Sequence, residues 1–204
     1  MDNKVVFNLQ TICDGHHKVS YRGVKAIRCP FDYVLYQMII TRVKPDLIIE
    51  IGTNAGGGSL YLSDLQKLNG FGVVHTIDIL NMVTDDIVIN NENIKRFLGG
   101  FQSYDLENTN GFNNILIIDD GSHTYDDVNK SLEKFNKIVS KNSYFIIEDG
   151  ILDELGYKNY NGGPLKAIEE FLNLNDEFII DREMCDLFGR NATFNVNGYL
   201  KKIK

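Results

Sequence analysis

Carboxylates recur in this sequence at one kind of position, directly after a short apolar run. Glu50 follows Leu47-Ile48-Ile49, and Asp78 follows Val73 to Ile77. Asp119 and Asp120 follow Ile115 to Ile118, and Glu148 and Asp149 follow Tyr144 to Ile147. One acid in such a place is an ordinary cap or turn residue. Acids at four successive run ends point instead to a shared site. Asp120, Glu148 and Asp149 end neighbouring runs, so they converge if the runs are adjacent strands. Converging carboxylates raise one another's pKa unless a cation compensates them. An all-oxygen ligand set suits Mg²⁺ (or Mn²⁺ or Ca²⁺) rather than zinc, and such an ion stabilises an alkoxide as a Lewis acid. His123, three residues beyond Asp120, reaches the same spot. An imidazole, with an ordinary pKa near ~6.5, suits the general base that deprotonates a hydroxyl. The alternative for His123 is a loop histidine capping the next helix.

The first run enters Glu50-Ile51-Gly52-Thr53-Asn54-Ala55-Gly56-Gly57-Gly58-Ser59. A glycine-rich turn lets a cofactor approach the backbone closely. The dinucleotide pattern GxGxxG fails, because Asn54 stands where the second glycine belongs. An acid ahead of the turn also disfavours a pyrophosphate. The spacing ExGxxxG suits a cofactor that is cationic nearby and carries no phosphate, as S-adenosylmethionine is. Asp78, ending the next run, is placed to accept hydrogen bonds from both ribose hydroxyls. Expected cofactor contacts are Glu50, Gly52, Thr53, Asn54, Ser59, Asp78 and Asp119. An NAD(P)-dependent oxidoreductase is one alternative, opposed by the missing GxGxxG. A non-catalytic ligand-binding protein is the other, opposed by the retained, mutually repulsive acids.

The elements that must hold these residues are legible in the pattern. Near-continuous β-branched runs suit strands buried on both faces. Between them, helical spacing is expected over 32–43, 59–68, 126–139 and 164–174, the last with Pro164 in its first turn. Strands alternating with helices make a doubly wound, Rossmann-like α/β domain. Two further strands are expected over 177–183 and 193–202, closing the parallel sheet with an antiparallel edge. The acids then fall at the carboxyl ends of the strands, where open α/β sheets bind ligands. The segment 1–30 is polar and without strong period, a short N-terminal cover on a single domain spanning 1–204. Tyr21 and Arg22 are candidates to line an acceptor pocket. His16 and His17 are expected at the surface, and His75 inside a strand. The segment 150–163, with four glycines, Tyr157 and Tyr160, is expected to act as a lid.

Composition narrows the class further. The chain has 204 residues with 21 Lys+Arg against 28 Asp+Glu, a formal charge of −7 that argues against a general nucleic-acid binder. Cys13, Cys29 and Cys185 are odd in number and widely spaced, which argues against a disulfide framework or a zinc site and for free thiols in a reducing compartment. Met1-Asp2-Asn3-Lys4 does not begin a signal peptide, and no run approaches the ~20 apolar residues of a membrane span. A cytoplasmic protein is expected.

These pieces resemble the cephalosporin hydroxylase-like family of class I, metal-dependent O-methyltransferases, which includes rhamnosyl O-methyltransferases. The resemblance covers most of the chain. It is carried by Tyr21-Arg22-Gly23-Val24, Pro30, Asp32 and Tyr36-Gln37; by Ile49-Glu50-Ile51-Gly52-Thr53 and Gly57-Gly58-Ser59; by Ile118-Asp119-Asp120-Gly121-Ser122-His123 and Ile147-Glu148-Asp149; and by Gly163-Pro164 and Asn195 to Leu200. It implies a seven-stranded, mostly parallel sheet with an antiparallel C-terminal strand. It also implies that Asp120, Glu148 and Asp149 hold Mg²⁺ and that His123 deprotonates the acceptor. Glu50, Gly52, Ser59 and Asp78 would hold S-adenosylmethionine, with Ser103 beside the adenine. The implied acceptor is a small-molecule hydroxyl, sugar-containing by first preference, and relatives of this kind form homo-oligomers.

Overall fold

The computed structural model describes residues 4–5, 7–152 and 154–204. The first three residues of the chain, read above for a signal peptide, lie outside the described residues, as do position 6 of the cover and position 153 of the expected lid.

The expected strands form where the apolar runs lie. They are β3 (Leu47–Ile51), β4 (Val73–Asp78), β6 (Ile115–Asp119) and β7 (Tyr144–Ile147), and every residue of β3, β6 and β7 is buried. With β5 (Ile94–Leu98), β8 (Phe178–Ile180) and β9 (Tyr199–Lys202) they make one seven-stranded sheet in the order β5-β4-β3-β6-β7-β9-β8. All neighbours are parallel except those of β9, which is antiparallel to both β7 and β8. The expected sheet is present, with one correction to its edge. The antiparallel strand lies between β7 and β8, so the edge strand runs with the rest.

Alternation along β3 explains the layers. Leu47, Ile49 and Ile51 face one core with Val128, Leu132 and Phe135 of α5 (Tyr125–Phe135) and Ala167 and Ile168 of α6 (Gly163–Leu174). Ile48 faces the other core with Leu35, Tyr36, Ile39 and Ile40 of α2 (Pro30–Val43) and Leu62 of α3 (Gly57–Asn69). Each such aliphatic side chain taken wholly from water contributes roughly 1.5–3 kcal/mol. Helix ends follow local chemistry. Thr124 accepts a hydrogen bond from the Asp127 amide at the start of α5, and Gly70, at φ 85°, closes α3.

Elements also appear where no pattern announced them. The cover folds as α1 (Leu9–His16) and a hairpin of β1 (Ser20–Tyr21) with β2 (Val24–Lys25). Two short helices, α4 (Asp86–Ile89) and α7 (Arg182–Cys185), also form. The strand expected over 177–183 stops at Ile180, because Asp181 caps α7 by accepting from the Glu183 amide. The strand expected over 193–202 begins only at Tyr199. Before it, Thr193 and Phe194 are tied to Asp32, and Asn197 turns the chain at φ 54°. The helix expected to Val139 ends at Phe135.

Candidate active site

The carboxyl ends of β3, β4, β6 and β7 open into one cavity of about 730 Å³. Gly52 makes the close passage between two of them. At φ 99° it lies so near β6 that a Cβ would sit 2.0 Å from the Asp120 carbonyl oxygen. Its amide donates to the Ile77 carbonyl at 2.8 Å, and the Asp120 amide donates to the Ile51 carbonyl at 2.8 Å. The four strand ends are therefore tied into one rim, with Glu148 donating its amide to the Asp119 carbonyl at 2.9 Å.

Alternation separates the paired acids. Asp119 turns onto α5, where the buried Ser131 hydroxyl and the Gly121 amide donate to it. Burial pushes its carboxyl up to about 6. Asp120 turns the other way and lines the cavity. Burial, then the neighbouring Glu148, holds its carboxyl well above the ordinary range. His123 Nε2 lies 3.7 Å from Asp120 Oδ1 and 3.4 Å from Asp149 Oδ2. These three side chains offer ligand atoms within 4.8 Å of one another. Both His123 and Asp149 hold φ 58°, a left-handed conformation rare for such residues; residues are kept there only when the surroundings over-determine them, commonly at working sites.

Glu148 also lines the cavity, but its oxygens are engaged. Tyr36 Oη donates to Oε1 at 2.6 Å, and Arg28 reaches Oε1 with Nη2 at 2.8 Å and Oε2 with Nε at 3.2 Å. The group that converges directly is thus Asp120, His123 and Asp149, with Glu148 joined to it through Arg28. The same guanidinium reaches Asp120 Oδ2 at 3.1 Å and Glu50 Oε1 at 3.7 Å. It lies over the Tyr36 ring at 4.9 Å. Burial opposes the charge, but Glu148, Tyr36, Asp120 and Glu50 hold it well above its ordinary pKa. Its Nη1 is buried with no hydrogen-bond partner. Sequence reading missed Arg28, because an isolated arginine in an aperiodic segment carries no signal of its own.

Glu50 is 1% exposed and receives the Ser59 hydroxyl and, at 2.7 Å, the Thr76 hydroxyl. Burial raises its pKa against the pull of Arg28 and these donors. A Cβ on Gly58 would lie 2.7 Å from Glu50 Oε1 and 3.2 Å from Arg28 Nη1, so only glycine leaves that pair open. Asp78 accepts the Asn54 amide at 2.9 Å and the Leu80 amide at 3.0 Å. Glu50, Gly52, Thr53, Asn54 and Asp78 all line the cavity. Ser59, Ser103 and Asp119 stand behind its wall. Ser59 is fully buried against Glu50, and the Ser103 hydroxyl donates to the Gly100 carbonyl at 2.9 Å. Gly100, Phe101 and Gln102 line the wall in place of Ser103.

Other expectations resolve in place. His16 is 8% exposed and lines the cavity with the exposed His17, so the surface expectation fails for His16; α1 turns it inward. His75 is buried in β4 and bonds Tyr104 Oη at 2.7 Å, and burial pushes its pKa down to about 4. Tyr21 and Arg22 do not line the cavity; both hydrogen-bond Asp64 of α3. All three cysteines are free and buried. Leu155, Tyr157 and Tyr160, from the expected lid, line the cavity. No helix among the described residues is long and apolar enough to cross a membrane.

The family profile for Rhamnosyl O-methyltransferase/CmcI matches residues 14–203. Rhamnosyl O-methyltransferase of Mycobacterium tuberculosis (strain H37Rv) is 25% identical over 196 residues, covering 90% of this chain and 78% of the relative. A solved structure of CmcI with SAH superposes with a TM-score of 0.70 at 19% identity, covering 100% of this chain and 96% of the other. A CmcI structure with Mg and SAM gives 0.66 at 21% identity, with 100% and 88% covered.

Proposed function

This chain belongs to the rhamnosyl O-methyltransferase/CmcI family and is a methyltransferase, and from that premise we propose transfer of a methyl group from S-adenosylmethionine to a hydroxyl of a sugar or secondary metabolite, with Mg²⁺ (or Mn²⁺ or Ca²⁺) assisting. The observation that carries the reading is the junction of two chemistries in one cavity. Asp120, His123 and Asp149 converge at one side, and the Glu50–Arg28 pair stands beside the glycine turn at the other.

The cofactor fits this chain's own groups. Glu50 offers a buried carboxylate for an ammonium, and the unpartnered Arg28 Nη1 beside it offers a donor for a carboxylate. Together they complement the zwitterion of an amino acid, the methionine end of the cofactor. Asp78 keeps lone pairs for ribose hydroxyls beyond its two backbone donors. Ser59 and Thr76 orient Glu50 rather than touching the ligand. Ser103 holds the turn whose neighbours Phe101 and Gln102 would meet the adenine, and Asp119 braces the rim.

A divalent cation fits as well. Glu50, Asp120, Glu148 and Asp149 crowd the rim, and Arg28 is the cation paired with three of them, so negative charge is left in excess. Asp120 and Asp149, with Glu148 released from or sharing Arg28, would hold the ion. When bound, it supplies Lewis acidity that lowers the cost of an alkoxide. His123 accepts the hydroxyl proton on its imidazole, beside Asp120 and Asp149. The rim holds acceptor and methyl donor in line, which supplies most of the acceleration. The segment 150–163 excludes water by bringing Tyr157 and Tyr160 over the acceptor. The three buried thiols fit a reducing, cytoplasmic setting.

Assay of methyl transfer to a panel of sugar and phenolic acceptors tests the reading. Chelation abolishes turnover and Mg²⁺ restores it. Asp120→Asn and His123→Ala lower kcat by about 10²–10⁴ while S-adenosylhomocysteine still binds. Full turnover in the presence of chelator would remove the metal from the account.

A further inference from the structure

Outside the carboxylate cluster, a second group of ligating side chains faces the same cavity. Cys13, His16 and His17 offer a sulfur and two ring nitrogens that lie within 4.8 Å of one another, and all three line the cavity wall. They stand at i, i+3 and i+4 at the end of α1, the spacing that stacks side chains on one helix face. We propose that Cys13, His16 and His17 form a second metal site, selective for a borderline-soft divalent ion such as Zn²⁺, with its open coordination position towards the cavity.

Three features carry this assignment. The donor set is the first: one thiolate and two imidazoles select zinc-like ions, whereas the all-oxygen rim acids select Mg²⁺-like ions. The second is orientation. His16 Nδ1 contacts the Cys13 carbonyl oxygen, the kind of backbone anchor that fixes ring orientation in metal-bound histidines. Coordination number is the third. The described group supplies three protein ligands, which is the count of sites that keep a fourth position for water or an incoming heteroatom. Cys13 and His16 are nearly buried while His17 is exposed, so an ion can enter from solvent and be held against the cavity wall. The run Cys13-Asp14-Gly15-His16-His17 places a thiol and two imidazoles within one helical turn.

The site does not depend on the methyl-transfer reading, and its test is spectroscopic. The metal-stripped full chain is titrated with Co²⁺ as the optical stand-in for Zn²⁺. The expected result is a thiolate-to-metal charge-transfer band with the visible absorption of four-coordinate Co²⁺, both displaced by Zn²⁺. Cys13→Ser abolishes the charge-transfer band, while Cys29→Ser, Cys185→Ser and Asp149→Asn retain it. His17→Ala, which alters an exposed side chain and not the core, weakens Co²⁺ affinity at least about tenfold. The proposal is overturned if the wild-type protein shows no band, if the band survives Cys13→Ser, or if His17→Ala binds Co²⁺ as the wild type does.

Discussion

At the scale of single residues, Arg28 holds the site together. It is 3% exposed and within ion-pair distance of Glu50, Asp120 and Glu148. Removing one member of a buried ionic network strands the rest, at a cost of about 3–5 kcal/mol. Arg28→Met therefore lowers the urea midpoint by that equivalent, and the loss shrinks when Mg²⁺ is added. An unchanged midpoint would mean that the carboxylates need no internal counter-charge. Asp119 gives a pH signature. Its carboxyl sits at about 6 in the fold against an ordinary 3.8, so between those values the native state holds a proton that the unfolded chain has released. Its contribution is complete below about pH 4 and is lost as pH rises through about 6, a span of about 3 kcal/mol at most. Asp119→Asn flattens that part of the urea stability profile; a profile as steep as the wild type's would place the titration elsewhere. Residue chemistry was readable where it repeats. Acids at four strand ends announce themselves, whereas Arg28 acquires meaning only when folding brings β1–β2 and α2 against the rim.

Among elements, the sheet was legible and its margins were not. β3, β6 and β7 are buried throughout, so their sequences are unbroken apolar runs. β5 has Lys95, Arg96 and Leu98 exposed at the sheet edge, and nothing in its composition separates it from a loop. The C-terminal strands are shortened by side-chain competition, Asp181 capping α7 and Asp32 holding Thr193, which periodicity cannot register. Between strands the decisive position is Gly52. A side chain there meets the Asp120 carbonyl and a left-handed φ together. Gly52→Ala forces β3 from β6 at the rim and costs more than about 1 kcal/mol, read as a lowered melting temperature together with weakened S-adenosylhomocysteine binding. A variant that matches the wild type in both would show that the rim tolerates opening.

For the molecule as a whole, the acidic balance has a location. The formal charge of −7 includes Glu50, Asp78, Asp119, Asp120, Glu148 and Asp149 at one edge of one sheet, and only some of these are answered by Arg28. In the function proposed above, a sulfonium donor and a divalent ion are the cations that this edge would receive. The layers of helix on either face keep the strand ends fixed, and α1 closes the cavity from the third side with Cys13, His16 and His17. In the function proposed above, this cavity is a cofactor site shared by Glu50, Asp78 and the Asp120–His123–Asp149 cluster. Calorimetric titration of the full chain with S-adenosylhomocysteine, without and with Mg²⁺, tests it most directly. The expected result is saturable one-to-one binding in both conditions, greatly weakened in Asp78→Asn. Absence of binding heat across temperatures in both conditions, or unchanged affinity in Asp78→Asn, would contradict it.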